Sequence, residues 1–450
     1  MLVNDRHNTT CNARPAQSWI LNAEMVFAKS TVLALTWVLF GVGRLPAELR
    51  CDHRLGTDIT KADGRTSFAD VKPGDTVCLM AGLRSRLVLE NFQGSEQRPI
   101  MFVNFGGRVV LQDDSKYGIV IRNSRYFRLT GSGSPTHRFG IEISGVETGV
   151  RAGWRSSDME FDHLEIKSVA GQGILTSSKS TCEDGSDNAF DFDNDGQVEY
   201  DLDDRISQAN FTQYNTIIHD NLIRDVGDEA LYIGSNRTVY ANYSQGSPTN
   251  CKRGNANPLH PLLNGVEIYS NVIQRTGRDA INVKGTPLGC KVHHNSITED
   301  SMARRGNGQD GGIDIGLHSR CDVYENVIQS GFGRGLSLNG IGGRVYNNLI
   351  TDPGRGFDSD DRRASGIHVH MGTPGGSYEI FRNTIVNPRS FGIRFTYHSG
   401  SGHVIRDNEI FNPGNGGDSA FIYVGRTAAP VRVFQNRTVG NRAVERSELR

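Results

Sequence analysis

The chain of 450 residues carries 49 Lys and Arg against 50 Asp and Glu, a net charge of −1, so no global charge steers it to nucleic acid or anionic membranes. Its 53 glycines exceed the average of roughly 7% but follow no period of three, so collagen is excluded and the excess belongs to turns. The length exceeds the usual single-domain range, which leaves several globular domains or one elongated repeat.

Residues 1–47 read as an N-terminal extension and signal peptide. From Ser30 to Gly43 the chain is apolar or small, between Lys29 and Arg44; the run is too short for a comfortable membrane span and suits a signal h-region. The residues before Met25 are polar, which points to a biological start at Met25, with cleavage after Ala47. An uncleaved signal anchor is the alternative. The expected location is secreted, periplasmic or at the cell surface, with no transmembrane helix in the mature chain.

One domain is expected over residues 48–440. The segment Val71-Lys72-Pro73-Gly74-Asp75-Thr76-Val77 is a turn entering a strand. Less regular strands follow at Pro99–Val103, Val109–Leu111, Gly118–Ile121 and Phe127–Leu129. Phe161…Leu164…Ile166, then Gly173-Ile174, is the first full rung.

From about residue 215 one phrase returns eight times: a β-branched residue, two variable residues, Asn, one variable residue, then Ile. Its Asn positions are Asn221, Asn271, Asn295, Asn326, Asn348, Asn383, Asn408 and Asn436, and only the last rung replaces Ile, with Thr438. A second phrase, a small residue followed by alternating apolar and variable positions, follows at Ala230, Ala280, Gly312, Gly335, Gly366, Gly392 and Ala420. Alternation of period two makes each phrase a strand with one buried face. Spacings of 22 to 35 between most of the Asn residues are too short for β-α-β units but suit one coil of a parallel β-solenoid. Stacked coils would build a continuous core, with the Asn side chains bonding from coil to coil at a turn that tolerates left-handed backbone. Residues 441–450 lack the repeat and read as a polar tail.

On these repeats the chain resembles the right-handed parallel β-helix proteins of the pectate lyase-like superfamily, with repeats of the PbH1 type, over most of its length. The resemblance implies an all-β right-handed solenoid with long loop insertions, opened by the turn at Pro73-Gly74-Asp75-Thr76. It implies an exported carbohydrate-active protein whose partner is an extended polysaccharide, and a monomer is expected. Many relatives are lyases that eliminate across uronic acids: a cation, often calcium, or an Arg neutralises the uronate, and Lys, Arg or His takes the adjacent proton.

Long insertions are expected at about 177 to 213 and 235 to 264, with shorter ones at about 299 to 311 and 352 to 365. The first carries Asp191, Asp193 and Asp195 at alternate positions, then Gly196 and Gln197, similar to a calcium loop of the EF-hand or dockerin kind. Its twelfth position is Leu202, so Glu199, Asp201 or Asp203 would close the shell; an acidic solvated loop is the alternative. Six cysteines lie after the signal. Cys290 and Cys321 each fall five residues before their Asn, one ladder position on adjacent coils, and are expected to pair. Cys51 with Cys78 follows, leaving Cys182 with Cys251.

In the second phrase the residue after the leading apolar position points outward, which aligns Tyr232, Asn282, Asp314, Ser337, His368 and Arg394. Lys284, Asn339 and His370 lie two positions on, and Glu229, Asp279 and Arg334 share the preceding corner. Each alone is ordinary solvated surface; together they place acids, bases and cations along one face. Lys284, His368 or His370 is the candidate base and Arg394 the charge stabiliser, with Glu229, Tyr232, Asp279, Asn282, Asp314 and Asn339 contacting substrate. Asp279 and Asp314 either bind a cation or pair with Lys284. His368 and His370 also permit a transition-metal site, although no third ligand is evident. Tyr423, Phe395 and Phe421 read as core. The leading reading is a lyase of acidic polysaccharide; the alternatives are a glycan-binding or adhesion protein, or a glycoside hydrolase or uronate epimerase, with Glu229, Asp279 and Asp314 supplying paired carboxylates.

Overall fold

The computed structural model describes residues 49–180, 206–239, 259–304, 309–359, 361–370, 375–396, 400–414, 421–425 and 430–439. The segment 1–47 read as extension and signal peptide, the acidic sequence 191–203, Cys182, Cys251 and residues 441–450 lie outside these residues.

Each coil lays down three strands, as in Leu262–Tyr269, Val272–Thr276 and Ile281–Lys284. The first two belong to a sheet of twenty-three strands bent between them, and the third to a separate sheet of twelve. Neighbouring coils pair in parallel and in register, Ile218 with Ile268 and Ile268 with Val292 on one leg, Leu231 with Ile281 and Ile281 with Ile313 on another. The fold is the right-handed parallel β-helix that the repeats predict. Its interior is the set of repeated aliphatic positions, such as Ile268, Ile273, Ile281 and Val283, all fully buried and each contributing about 1.5–3 kcal/mol.

The bend between the first two strands is where the Asn ladder sits. Asn326 Nδ2 donates to Val292 O at 2.9 Å, Tyr324 O at 3.1 Å and Asn348 Oδ1 at 3.0 Å, while its own Oδ1 accepts from Asn295 N and Nδ2. The residue before each ladder Asn, from Asp220 to Gln435, adopts φ between 51° and 55°. The amide therefore satisfies the carbonyls that a left-handed corner turns inward. The ladder ends where Leu164 replaces Asn, its backbone N–H donating to Asn221 Oδ1 at 3.0 Å.

The small residue opening the second phrase has a steric cause. A Cβ at Gly335 would lie 2.5 Å from Ile350 Cγ2 and 2.7 Å from Gly366 O. On the outer face of the bent sheet, His219, Tyr269, His293, Tyr324, Tyr346 and Phe381 stack face to face, with centroids 4.6, 5.2, 4.6, 4.9 and 5.0 Å apart.

Two disulfides form as expected, Cys51–Cys78 and Cys290–Cys321, with Cα atoms 5.5 and 4.5 Å apart. No helix among the described residues is long and apolar enough to cross a membrane.

Two expectations are corrected. The turn at Pro73–Thr76 does not open the solenoid: the strand His53–Leu55 precedes it and pairs with Val77–Leu79, and His53 Nε2 lies 3.0 Å from Asp75 Oδ2. The last rung slips by one residue. Ile422, not Phe421, stands opposite Ile393, and Tyr423 stands opposite Arg394. A one-residue slip exchanges faces. Tyr423 is therefore 37% exposed rather than core, while Phe395 and Phe421 are buried as expected.

Candidate functional site

The twelve-strand sheet carries the predicted columns in register. Arg151, Leu175, Tyr232, Asn282, Asp314, Ser337, His368, Arg394 and Tyr423 succeed one another on adjacent strands. Lys284 follows Asn282 by two positions, as Asn339 follows Ser337 and His370 follows His368. Glu229 and Asp279 share the corner column, followed by Gly311 and then Arg334.

The columns are not solvated surface. Glu229, Asp279, Asn282 and Ser337 are fully buried, Asp314 and His368 are 2% exposed, and Lys284 is 5% exposed. Tyr232, Asn339, His370 and Arg394 are half-buried and form the rim.

Lys284 is the centre of a buried charge cluster. Its Nζ lies 4.7 Å from the Tyr232 ring centroid, and its stem crosses Gly316, where a Cβ would meet Lys284 Cγ at 2.5 Å. Burial pulls its pKa down, but Tyr232, Asp314, Asp279 and Glu229 more than reverse this, so Lys284 is held as an ammonium. Asp279 accepts from Gly311 N at 2.8 Å and from Asn282 Nδ2 at 2.6 Å. Burial, then the charges of Asp314 and Glu229, push the Asp279 carboxyl well above the carboxylate range, against Lys284 and the Gly311 N–H.

Burial also raises Asp314, with Lys284, Ser337, Arg334 and Asn339 opposing the shift; Asn339 Nδ2 donates to Asp314 Oδ1 at 3.2 Å. Glu229 is raised by burial, and Lys284 and Arg278 oppose that shift. Arg278, whose Nη1 is 3.7 Å from Glu229 Oε1 and whose Nε is 3.1 Å from Asp228, was not singled out from sequence. Its position beside Asp279 was the available signal. Glu229 Oε1, Asn282 Oδ1 and Asn339 Oδ1 have no hydrogen-bond partner among the described residues.

The two histidines form a separate arrangement. Their rings stack with centroids 4.4 Å apart. His370 Nε2 is 3.0 Å from Arg334 Nη1 and 3.1 Å from Ser337 Oγ, while His368 Nε2 is 3.0 Å from Thr396 Oγ1. A guanidinium only donates, so His370 accepts at Nε2 and its proton sits on Nδ1. That contact also takes the lone pair a metal would need. Arg394 lies over the rings of Phe391 and Tyr423, 4.9 and 5.4 Å from their centroids. It is brought to the rim but is set apart from Lys284 by the strands carrying Asp314, Ser337 and His368.

Among the described residues, Glu160, Asp162 and His219 bring three ligand atoms within 4.8 Å of one another, on the other sheet. Arg128 and Thr130 already occupy Asp162, and both ring nitrogens of His219 bond carboxylates, Glu160 at 3.0 Å and Asp220 at 2.7 Å. The group is an ion-pair network. The calcium ligands expected at Asp191, Asp193, Asp195, Gln197, Glu199, Asp201 and Asp203 lie outside the described residues.

No protein-family model matches the chain, and no curated protein matches it in sequence. Solved structures do. A GH136 lacto-N-biosidase from Eubacterium ramulus aligns with a TM-score of 0.54 at 12% identity, covering 86% of this chain and 67% of that one. An alginate lyase from Paenibacillus sp. str. FPU-7 aligns with a TM-score of 0.48 at 15% identity, covering 83% of this chain and 99% of that one. At 12% identity the likeness to the lacto-N-biosidase shows a shared parallel β-helix fold alone, and the chemistry must be argued from the site.

Proposed function

We propose that this chain is an exported carbohydrate-active enzyme that lays an extended glycan along the outer face of the twelve-strand sheet and cleaves it beside Lys284 by acid-assisted hydrolysis. The observation that carries the reading is one ammonium, Lys284, enclosed by three buried carboxyls, Glu229, Asp279 and Asp314. Coils spaced at about 4.8 Å present donors and acceptors along a line, which suits a polymer. Tyr232 at one end and Tyr423 at the other give the rim apolar ring faces for sugars.

The division of labour follows from the environments. Asp279, raised by burial and by two neighbouring carboxyls, is the proton donor to the glycosidic oxygen. Asp314, which has Lys284, Ser337, Arg334 and Asn339 opposing its rise, is the better-stabilised anion and activates water or supports the cationic transition state. Lys284 keeps that anion ionised. Two formed disulfides fit an oxidising compartment and support export.

Elimination by Lys284 needs its free amine, and three carboxyls oppose that form. One observation favours it as a second reading: Glu229 Oε1 and Asn282 Oδ1, on neighbouring coils and without hydrogen-bond partners among the described residues, are hard oxygen donors of the kind a calcium ion takes. Calcium held there would neutralise a uronate and loosen the grip on Lys284, leaving Lys284 as the base and the ion as the charge stabiliser; Arg394, four strands away, is too distant for the role expected of it. Calcium in the 191–203 loop is a further proposal, with an ordering role for that insertion.

The test is a panel of neutral and acidic glycans with the purified protein, with and without calcium, read for new reducing ends and for ultraviolet absorbance of unsaturated uronates. Reducing ends without the chromophore support hydrolysis. A calcium-dependent chromophore lost in Lys284→Ala establishes elimination instead. Silence in both readouts from folded protein would sink the enzyme reading in favour of a binding protein.

A further inference from the structure

We infer that a corner of the solenoid away from Lys284 holds a second glycan-binding site, a cleft of about 460 Å³ lined by Arg125, Tyr126, Asp158, Gln208, Phe211 and Tyr214 that takes a hydroxyl-rich, uncharged sugar. The site goes beyond the cleavage reading, because binding there uses none of the groups around Lys284.

The cleft lies where the chain leaves the twelve-strand sheet and begins the bent one, at the starts of the strands Arg125–Thr130, Ser157–Asp162 and Thr212–His219 on three successive coils. Tyr214 stands beside Asn264, and Asn264 beside Leu288, just past Lys284. The cleft therefore begins two coils, roughly 10 Å along the axis, from the cleavage centre and runs away from it.

Its backbone is shaped for display. Arg125 pairs with Ser157 and Phe127 with Met159, so Tyr126 occupies the position of Asp158, and the same register sets Asn215 and Gly265 next in line. All four are left-handed, with φ of 52°, 54°, 45° and 76°. Asp, Asn and Gly adopt this backbone readily, whereas a tyrosine does not. Tyr126 is held there under strain, at a rung where its side chain lines the cleft.

The polar groups are oriented but not used up. Asp158 accepts from Ser157 Oγ at 2.8 Å through Oδ2 and from Asn215 Nδ2 at 2.6 Å through Oδ1, and each oxygen keeps a lone pair. Ser157 Oγ in turn accepts from Tyr214 N at 2.9 Å, which ties Tyr214 to the same wall. Arg125 lies over the Phe211 ring, 5.7 Å from its centroid, and donates only from Nε, to Arg155 O at 3.5 Å. Among the described residues both of its NH₂ groups are thus unbonded, and Arg125 and Asp158 line one cleft without forming an ion pair.

That combination selects the occupant. A pyranose offers an apolar ring face to Tyr126 or Tyr214, and at its edge neighbouring hydroxyls, one accepting from Arg125 while the other donates to Asp158. An anion would satisfy Arg125 but face Asp158, and a cation the reverse, so net charge is disfavoured. Arg125 also lines an adjoining cleft of about 370 Å³ with Gln93 and Asn123, which gives an oligosaccharide room to continue past the guanidinium.

The experiment is calorimetry at fixed ionic strength with neutral cellohexaose, mannohexaose and xylohexaose, and with acidic hexagalacturonate. Wild type should bind at least one neutral ligand. Tyr126→Asn and Tyr214→Ala should each weaken that binding roughly tenfold, and Asp158→Asn, which keeps a residue suited to the left-handed backbone, roughly tenfold to a hundredfold. Tyr232→Ala, in the cleavage groove, should leave this binding event in place. Tyr214 is 48% exposed, so its variant keeps the test open if Tyr126→Asn fails to fold.

No affinity for any neutral hexasaccharide, or affinity that Tyr126→Asn, Tyr214→Ala and Asp158→Asn all leave unchanged, overturns the site. So does hexagalacturonate that binds more tightly than the neutral ligands and is lost with Arg125→Met but not with Asp158→Asn, since the cleft would then be an anion site. Because Tyr232→Ala and Asp279→Asn disturb the cleavage groove alone, the two readings fail separately.

Discussion

Asp279→Asn separates the chemical role of the carboxyl from its structural one. In the wild type Asp279 Oδ1 accepts from Gly311 N at 2.8 Å and Oδ2 faces Asn282 Nδ2 at 2.6 Å. An amide at 279 keeps the first bond through its oxygen and turns an NH₂ towards Asn282. The Asn282 amide answers by rotating, because its Oδ1 has no partner to lose. One hydrogen bond is exchanged for another, and a carboxyl crowded by Asp314 and Glu229 disappears. The expected stability change is within about 1 kcal/mol. Loss of the general acid should lower kcat/KM by roughly 10²- to 10⁴-fold, about 3–5 kcal/mol of barrier. The pH profile carries the sharper signature. Asp279 acts while protonated and its pKa lies well above the carboxylate range, so wild-type activity falls as pH rises through that raised value. The variant should lack this alkaline limb. The assay is reducing-end release against pH on the best glycan of the panel, with thermal melting as the control for folding. A folded variant within about tenfold of wild type, with the alkaline limb intact, would refute the assignment.

Three further outcomes are expected. Asn326→Ala removes bonds to Val292 O, Tyr324 O and Asn348 Oδ1 and strands the Asn295 amide, and should cost about 3–5 kcal/mol in denaturation, whereas Asn436→Ala at the exposed end costs about 1 kcal/mol; equal effects would deny the ladder its role. Asp300, fully buried with Oδ2 unbonded, is pushed by burial, partly offset by Ser301, to about 7. A raised folded pKa contributes stability that is complete below the unfolded value and lost as pH rises through the folded one, so wild type should lose up to ~4 kcal/mol between about pH 4 and 7 through this group. Asp300→Asn should therefore gain over wild type in melting temperature at pH 8 relative to pH 5, and a gap independent of pH would count against it. Replacing Cys290 and Cys321 together by Ser opens a loop of 31 residues and should cost about 4 kcal/mol, read as a melting temperature lowered relative to the oxidised wild type; an unchanged melting temperature would deny the bridge that role.

The fold was legible because a solenoid writes its cross-section into the sequence at each turn. Ile268…Asn271…Ile273 fixes a bend, and period two then assigns every following residue to a face, so the order Tyr232, Asn282, Asp314, Ser337, His368, Arg394 could be read directly. The reading failed at Tyr423, where the small residue expected to open the phrase gives way to Phe421 and the register slips by one. It also missed a coil at His53–Leu55, which carries no repeated phrase. The site was only half legible. Position on a face follows from local alternation, but burial depends on what covers the face, and nothing periodic records that. Lys284 shows the consequence. Sequence presents a lysine near acids, a candidate base; its protonation depends on Tyr232, Asp314, Asp279 and Glu229 converging from four strands or corners, a sum that no spacing reveals.

The two sheets differ in a way that bears on where function lies. A parallel solenoid sets each residue beside its counterpart about 4.8 Å away, so stability favours stacking like on like. The bent sheet obeys this inside, Ile on Ile in the core and Asn on Asn at the corner, and along one outer column, His219, Tyr269, His293, Tyr324, Tyr346 and Phe381 ring on ring; beside that column the more exposed Glu267, Lys291 and Asp322 alternate in charge. The inner face of the twelve-strand sheet obeys it too. Its outer face does not, for Arg151, Tyr232, Asp314, His368 and Arg394 share one column with no repetition of type, and much of that column is buried. Burying unlike charges costs free energy that stacked aliphatics or aromatics at the same positions would not. The fold does not need that cost, since the core and the Asn ladder continue unbroken beneath it. What sets this face apart from the alternating but more exposed Glu267, Lys291 and Asp322 of the bent sheet is that its unlike groups are buried, and that burial is the ground on which the proposed site rests.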